Sequence, residues 1–579
     1  MINFSYKRIE KHVGALALFS LISSFWLFPL SFHIFECLPA GHDSWLFLWN
    51  FWWTGKALFE LHISPFFCDY VFYPVGVSLY FHAATPLNSL VGFAVQTLST
   101  PAFAFNFIFV SSFILSGYFA FLLAYRLTGS SIAGLFAGYI YAFSPFRFSH
   151  IDQLEHLSTQ WPALLAFTLF LLIEKKTISI SILAAISFSA VFYTNIYYGV
   201  FSSVMVLCFF FYDFFFVKDE RKKTVRVWII FAAASSLLCG PFVWKMLELA
   251  GEQGRFIVPM WVKSAQSLDL LMLITPSLNN PFVADNYFLE KIYLSFTAGE
   301  KIGYLGISVI LLSIYGLVKK RDKLFIFVFA MSSIFVILAL GPFLHVGGLV
   351  KCFGFPVPLP QLALQILPGI GEARVPARYL SIAMIFISLS AAHGISELLR
   401  SNLKYKRIVI FISALVLILE FWNKPLDLVQ PRTPAWCRIL ASDPRDCSVI
   451  DLPLQISEEP AEWWKSVDPA TDHGWLQTLY NKRTLTGTLS HTALTKSNFL
   501  FLLNSKIVSQ LSEITKNELT HSDAERELQR LRLTYFILHK DIYLRIGEDK
   551  LKRDKAIIED ELFGRKIYED DEFMIFKRE

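Results

Sequence analysis

Charge is scarce in this chain. Only 17% of its 579 residues are Asp, Glu, Lys or Arg, against 54% hydrophobic residues and a mean hydropathy of +0.48. That is too apolar for a soluble chain of this length to hide in one core, so lipid must cover much of its surface. Signature motifs are lacking as well. There is no Gly-rich phosphate cradle, HExxH, paired CxxC or nucleophile elbow, which leaves soluble-enzyme cofactor chemistry without support. No internal repeat or low-complexity linker interrupts the chain, which argues against solenoid arrays and disordered spacers. The N-terminal group Lys7, Arg8 and Lys11 precedes an apolar run, but no small-residue cleavage site follows within Phe25–Phe35. The run reads as an uncleaved first membrane helix.

Apolar and aromatic residues are abundant, including 58 Phe and 14 Trp, as expected of helices packed and anchored in a bilayer. Runs able to cross about 30 Å of hydrocarbon lie near 13–32, 102–125, 130–146, 160–174, 178–197, 199–217, 226–244, 304–318, 324–343, 379–399 and 408–423. The expected fold class is mainly α, a polytopic bundle of about eleven helices over residues 1–424 with a small α/β domain over 425–579. Basic residues cluster in alternate connections: Lys7/Arg8/Lys11, Arg126, Lys175/Lys176, Lys218 to Arg226, Lys319 to Lys323 and Arg400 to Arg407. By the positive-inside rule these are cytoplasmic. Segments 34–101, 147–159, 245–303 and 344–378, and everything after Asn423, then face outward. Treating 86–98 as a further span would invert Lys175/Lys176 and Lys218 to Arg226, so it reads as an interfacial or re-entrant helix.

After Pro425 the chain turns charged and loses every run long enough to span. CSVIDL (447–452) and TYFIL (534–538) read as strands, Ser522 to Arg532 as a helix, and KIYED followed by DEFMIFK as a hairpin. Cys37 with Cys68, and Cys437 with Cys447, would lie in an oxidising compartment and are candidate disulfides; unpaired thiols are the equal alternative.

The polar residues fall on one face. The first long loop begins Gly41-His42-Asp43-Ser44 and continues into LFLWNFWWTGKALF, a stretch suited to lying flat in the interface. Asp43 is a candidate catalytic carboxylate, and its structural alternative is the N-cap of that helix. His42, Asp69 and His82, on the turns of the same loop, are candidate substrate-binding residues. SPFRFSHIDQLEHLSTQW concentrates Arg147, His150, Asp152 and His156. These are candidates for hydrogen bonding to a sugar or phosphate, because the spacing does not present a matched set of metal ligands. LPGIGEARVPARYL places Arg374 and Arg378 four residues apart. Paired guanidinium forks suit a phosphate or pyrophosphate, with anchoring to anionic headgroups as the bland alternative, and Pro376 between them argues against a regular helix.

In their order along the chain, GHDSWLFLWNFWW, DYVFYPVGVSLYFHAATPLN, AYRLTGSSIAGLFAGYIYAFSPFRFSH and GEARVPARYL resemble the GT-C glycosyltransferase superfamily, in a bacterial and archaeal branch. CSVIDLPL and LYNKRTLTGTLSH resemble its C-terminal part more loosely. The resemblance implies a multi-pass enzyme of the cytoplasmic membrane, a hexosyl- or pentosyltransferase. It would transfer sugar from a polyprenyl-phosphate-linked donor to a glycan, lipid or protein acceptor on the outer face, with Asp43 at the position of the first-loop carboxylate. Many members carry a second acidic residue beside the first, whereas this chain has His42-Asp43-Ser44; no cofactor, metal or nucleic acid is expected. A flippase or polymerase of lipid-linked glycans is the alternative. The orientation has a direct test: labelling from the outer side should reach a cysteine placed at Ser490 and spare one at Thr224, and the reverse would refute the topology.

Overall fold

The computed structural model describes residues 6–217, 220–253, 258–296, 300, 302–351, 354–367, 369–371, 373–454, 472–487, 504–512 and 520–578. Ser490 and the last four residues of LYNKRTLTGTLSH lie outside them. The chain forms two compact units. One comprises Met1–Ile34, Asn106–Val243 and Phe256–Leu428; the other comprises Phe35–Phe105, Trp244–Arg255 and Val429–Glu579.

The first unit is a helix bundle, and each apolar run expected to span coincides with a helix. Among the described residues five helices are long and apolar enough to cross a membrane: Pro101–Thr128, Leu154–Lys175, Ile196–Phe216, Arg221–Gly251 and Pro376–Arg400. Ile178–Thr194, Ile307–Lys319 and Lys323–Ala339 are shorter and equally apolar. The protein is therefore a multi-pass membrane protein, its outward faces carrying bare apolar side chains such as Phe216, Ile229, Leu237 and Phe411.

Local chemistry sets the helix ends. Gly129, at φ +73°, stops the helix Pro101–Thr128, a conformation cheap only for glycine, and Ser130 then accepts from Ala133 N to start the next helix. Asn195 breaks Ile178–Thr194 from Ile196–Phe216 by adopting an extended conformation, and its Oδ1 accepts from Tyr198 N at 3.2 Å. Gly306 has no side chain with which to cap the helix Ile307–Lys319, so the distant Glu420 does so, accepting from Ile307 N at 2.9 Å and Ser308 N at 3.2 Å.

Leu380–Arg400 is buried around nearly its whole circumference and packs against Ser131–Ala142, Ile307–Lys319 and Lys323–Ala339. A helix apolar on every side belongs in the middle of a bundle. Gly316 and Gly394 permit its closest crossing: a Cβ on Gly394 would stand 2.0 Å from the Leu312 carbonyl oxygen, the small-residue contact by which membrane helices approach without a hydrophobic drive.

In the second unit, β1 (Ser448–Leu452) runs parallel to β2 (Arg483–Thr484) and β3 (Leu533–His539). β4 (Gly564–Glu569) and β5 (Phe573–Arg578) form the expected hairpin, β5 pairing antiparallel to β3. The spatial order is β2-β1-β3-β5-β4. The same unit holds the helices Asp43–Gly55 and Pro86–Gln96. The latter has 11 residues, about 16 Å of helix at 1.5 Å per residue, half of what a span requires.

The aromatic stretch after Asp43 does not lie bare for an interface. Trp49 and Trp53 are buried and stack 6.1 Å apart in a core shared with Ile450, Leu452, Phe536 and Leu538. Trp49 Nε1 donates to Gln477 Oε1 at 2.7 Å and Trp53 Nε1 to the Pro65 carbonyl at 3.0 Å; satisfied indole N–H groups let Trp serve as core. Neither candidate disulfide, Cys37–Cys68 or Cys437–Cys447, is formed.

Replacing Gly394 by Leu should force the crossing apart and destabilise the protein by about 3 kcal/mol or more, read as thermal unfolding of the detergent-solubilised full chain. Gly240→Ala is the control, since a Cβ there meets nothing within 4 Å and alanine favours helix.

Candidate functional site

The first unit gathers its ionisable groups where the chain leaves the helices. Ser131–Ala142 is followed by a short turn of helix, Pro145–Phe148, then by Leu154–Leu157, before the chain re-enters the bundle at Gln160. Arg147, on the first of these turns, holds the loop together. It is 2% exposed, its Nη1 donates to the Ala142 carbonyl at 2.7 Å, and its Nη2 donates to the Leu157 carbonyl at 2.7 Å and Ser112 Oγ at 3.0 Å. The guanidinium also lies 4.0 Å from the centre of the Phe113 ring. Its terminal nitrogens are thus spent on this loop, which makes Arg147 a brace for its neighbours instead of the sugar or phosphate ligand expected of it.

His150 and His156 are both buried, their rings 5.3 Å apart. The Phe146 carbonyl lies 2.8 Å from His150 Nδ1. That acceptor selects the Nδ1–H tautomer, so Nε2 carries a proton only when the ring is charged. Nε2 stands 3.3 Å from Glu300 Oε2. His156 Nδ1 lies 3.0 Å from Asn195 Nδ2, and its Nε2 faces Glu155 Oε1 at 3.4 Å. Asp152 is half-buried in the turn between them.

Glu300 was not a candidate on sequence grounds, yet it joins the two loops. Its Oε1 accepts from Arg378 Nε at 2.7 Å. Burial opposes ionisation of this carboxyl, but the Arg378 guanidinium and His150 outweigh it and hold the pKa down at about 2. Arg378 belongs to the 3-10 turn Pro376–Tyr379 that opens the buried helix, and its guanidinium lies 5.9 Å from the Tyr197 ring centre. Because Glu300 takes the Nε side, Nη1 and Nη2 remain available among the described residues. Arg374 precedes the turn, half-buried, with its Nε lacking a partner among the described residues. The four-residue spacing is therefore not a helical face, since Pro376 starts a tighter turn after an extended Val375.

In the second unit, Asp43 is the first residue of its helix, and the cap position belongs to His42, whose exposed side chain makes no capping bond. Asp43 thus stands one position inside the cap that the alternative role assigned to it. Asp69 pairs with Arg483 at 3.2 Å. His82 is buried, with Nε2 3.0 Å from Asn50 Oδ1, and burial pushes its imidazole down to about 3. Both side chains are engaged in holding this unit's loops, a role that sequence reasoning had left open to substrate. Among the described residues no group of three or more His, Cys, Asp or Glu side chains is arranged to hold a metal ion.

A membrane helix bundle joined to a small α/β unit, with an arginine–carboxylate cluster at the start of its most buried helix, has the GT-C fold. The solved oligosaccharyltransferase of Archaeoglobus fulgidus in its apo form matches at a TM-score of 0.51 and 13% identity, over 92% of this chain and 70% of that one. The archaeal oligosaccharyltransferase AglB of Archaeoglobus fulgidus, in complex with an inhibitory peptide and a dolichol-phosphate, matches at 0.51 and 12% identity over 92% and 70%. ArnT of Cupriavidus metallidurans matches at 0.45 and 9% over 97% and 98%. The chain belongs to the family described as Domain of unknown function (DUF6311), whose model matches residues 17–422. No curated protein matches the sequence.

The low pKa of Glu300 has a consequence for stability. A depressed carboxyl stabilises the fold above its unfolded value, near 4.5, and that contribution disappears as pH falls through about 2. The native protein should therefore exceed Glu300→Gln in stability at pH 6, by at most about 3 kcal/mol, and the difference should shrink between pH 4.5 and 2. Unfolding midpoints of the two proteins across that range provide the check.

Proposed function

We propose that this protein is an inverting glycosyltransferase that moves one sugar, a hexose or pentose, from a polyprenyl-phosphate donor to an acceptor hydroxyl on the outer side of the cytoplasmic membrane. The observation that supports this reading best is the Arg378–Glu300 pair. A guanidinium gripped at Nε by a carboxylate, 2.7 Å away, keeps a fixed plane and offers two parallel N–H groups on its far edge. That edge suits two oxygens of a phosphate. Arg374, with its unpartnered Nε, is the second donor. A structural relative described with dolichol-phosphate agrees with a donor of that chemistry.

In the reaction the acceptor oxygen bonds to the anomeric carbon as the bond from that carbon to the phosphate oxygen breaks. The hydroxyl proton passes to a carboxylate, and the electron pair leaves with the lipid phosphate. Asp43, in the first turn of its helix, is the base that the GT-C resemblance designates, a carboxylate being able to take the hydroxyl proton as the new bond forms. Arg378 and Arg374 neutralise the charge that grows on the departing phosphate, a task for preorganised donors in a partly dry site.

The two roles separate by experiment. Asp43→Asn keeps the shape but cannot take the proton, so turnover should drop about 10²-fold or more while donor binding changes far less. Arg378→Lys keeps the charge and loses the planar fork, so donor affinity should fall. Near-normal turnover in Asp43→Asn with a defined donor and acceptor would remove Asp43 from the mechanism and make Asp152 the next carboxylate to test; unchanged donor affinity in Arg374→Lys/Arg378→Lys would remove the phosphate grip.

A further inference from the structure

The C-terminal unit carries a basic groove that the transfer reaction does not use. It lies at the end of the sheet where the inner strands β1 and β3 begin, has a volume of about 160 Å³, and is lined by Arg445, Asp446, Gln529, Arg532, Thr534 and Arg578 among others. Three guanidinium groups thus face one carboxylate. More positive charge lies close by: Lys482 donates to the carbonyls of Asp443 and Arg445, Lys577 is 3.4 Å from Asp443 Oδ2, and Arg483 pairs with Asp446.

The internal pairing leaves guanidinium edges over. Asp443 holds Arg445 through Nε at 3.0 Å and Nη2 at 2.6 Å, leaving Nη1. Asp446 takes only Nη1 of Arg532. Arg578 pairs with Gly564 through its backbone, and its side chain makes no hydrogen bond or ion pair among the described residues. Arg532 is placed by an unusual backbone, with φ at +51° between the helix His521–Arg530 and β3, in the left-handed region that non-glycine residues seldom adopt. Its carbonyl is fixed there by the Ser448 amide at 2.8 Å.

We propose that this groove is a phosphate-binding subsite, taking a doubly charged oxyanion between the free edges of Arg445, Arg532 and Arg578. Several forks converging on one small cavity match an anion with three or more oxygens better than a single carboxylate, and excess positive charge at a cleft raises local anion concentration. Room for several water molecules is enough for one phosphate group. The subsite is independent of Arg378, and the phosphate could be supplied by a soluble phosphorylated ligand or by an anionic lipid headgroup.

Inorganic phosphate is the probe, titrated calorimetrically into the full-length protein carrying Arg374→Gln and Arg378→Gln so that the other arginine site is silent. Binding should persist in that background. Adding Arg532→Gln with Arg578→Gln should weaken it at least tenfold, with Asp446 still paired to Arg483, and Thr534→Asp, which adds a carboxylate to the groove without removing an arginine, should weaken it likewise. Absence of binding in the Arg374→Gln/Arg378→Gln protein, or binding that neither change affects, overturns the proposal. Repeating the titration in nanodiscs separates the sources. Lower apparent affinity in anionic than in neutral lipid supports the subsite with a headgroup as its phosphate, and equal affinity in both supports it with a soluble one.

Discussion

The pairing of Arg378 with Glu300 is the interaction on which the first unit's polar cluster turns. A guanidinium and a carboxylate, both largely removed from water, are costly to bury singly, because deleting one partner of such a pair leaves the other charge stranded. The two residues are 78 positions apart, so satisfying them ties the chain at Glu300 to the entrance of the helix Leu380–Arg400. His150 joins through Glu300 Oε2, and Arg147 holds His150's own loop against the helices by bonding two backbone carbonyls. The result is an arginine whose orientation is determined before any ligand arrives. Preorganised donors of this kind stabilise developing charge without reorganising at the moment of reaction.

One cluster in the second unit solves a similar problem without offering a free edge. Asp451, on β1, lies between His539 at 3.0 Å and His473 at 2.9 Å, all three about 1% exposed. Burial opposes ionisation of the Asp451 carboxyl, and the two imidazoles outweigh it and hold its pKa below the usual carboxylate range. These residues tie β1, β3 and the helix His473–Tyr480 together. Enclosed polar clusters brace the fold, whereas the arginines of the basic groove keep part of their hydrogen-bonding capacity at the surface.

Much of the fold was legible because lipid imposes a simple rule: a backbone that meets hydrocarbon must be helical and its side chains apolar. Every expected span is a helix for that reason, and the C-terminal hairpin was visible in the alternation of KIYED and DEFMIFK. Individual polar residues were harder to read. Asp69, His82 and Arg147 looked like surface ligands because their partners, Arg483, Asn50 and two backbone carbonyls, are set by tertiary contacts that no local period announces. Trp49 and Trp53 looked interfacial because an aromatic helix reads the same whether lipid or protein covers it; Gln477, 428 residues from Trp49, decides the matter. Glu300 went unnoticed in a loop with no motif around it. The one available signal was an acidic residue in a long loop on the same predicted face as two arginines.

The central claim is that the protein breaks the bond between a sugar and a polyprenyl phosphate. The most direct measurement is to incubate the purified full-length protein in lipid with a polyprenyl-phosphate-linked sugar and an envelope extract as acceptor, then to quantify free polyprenyl phosphate over time. Transfer predicts that free lipid phosphate accumulates in step with sugar appearing on the acceptor. Movement of the intact lipid-linked sugar across the bilayer, with no polyprenyl phosphate released, would contradict the account and identify a flippase.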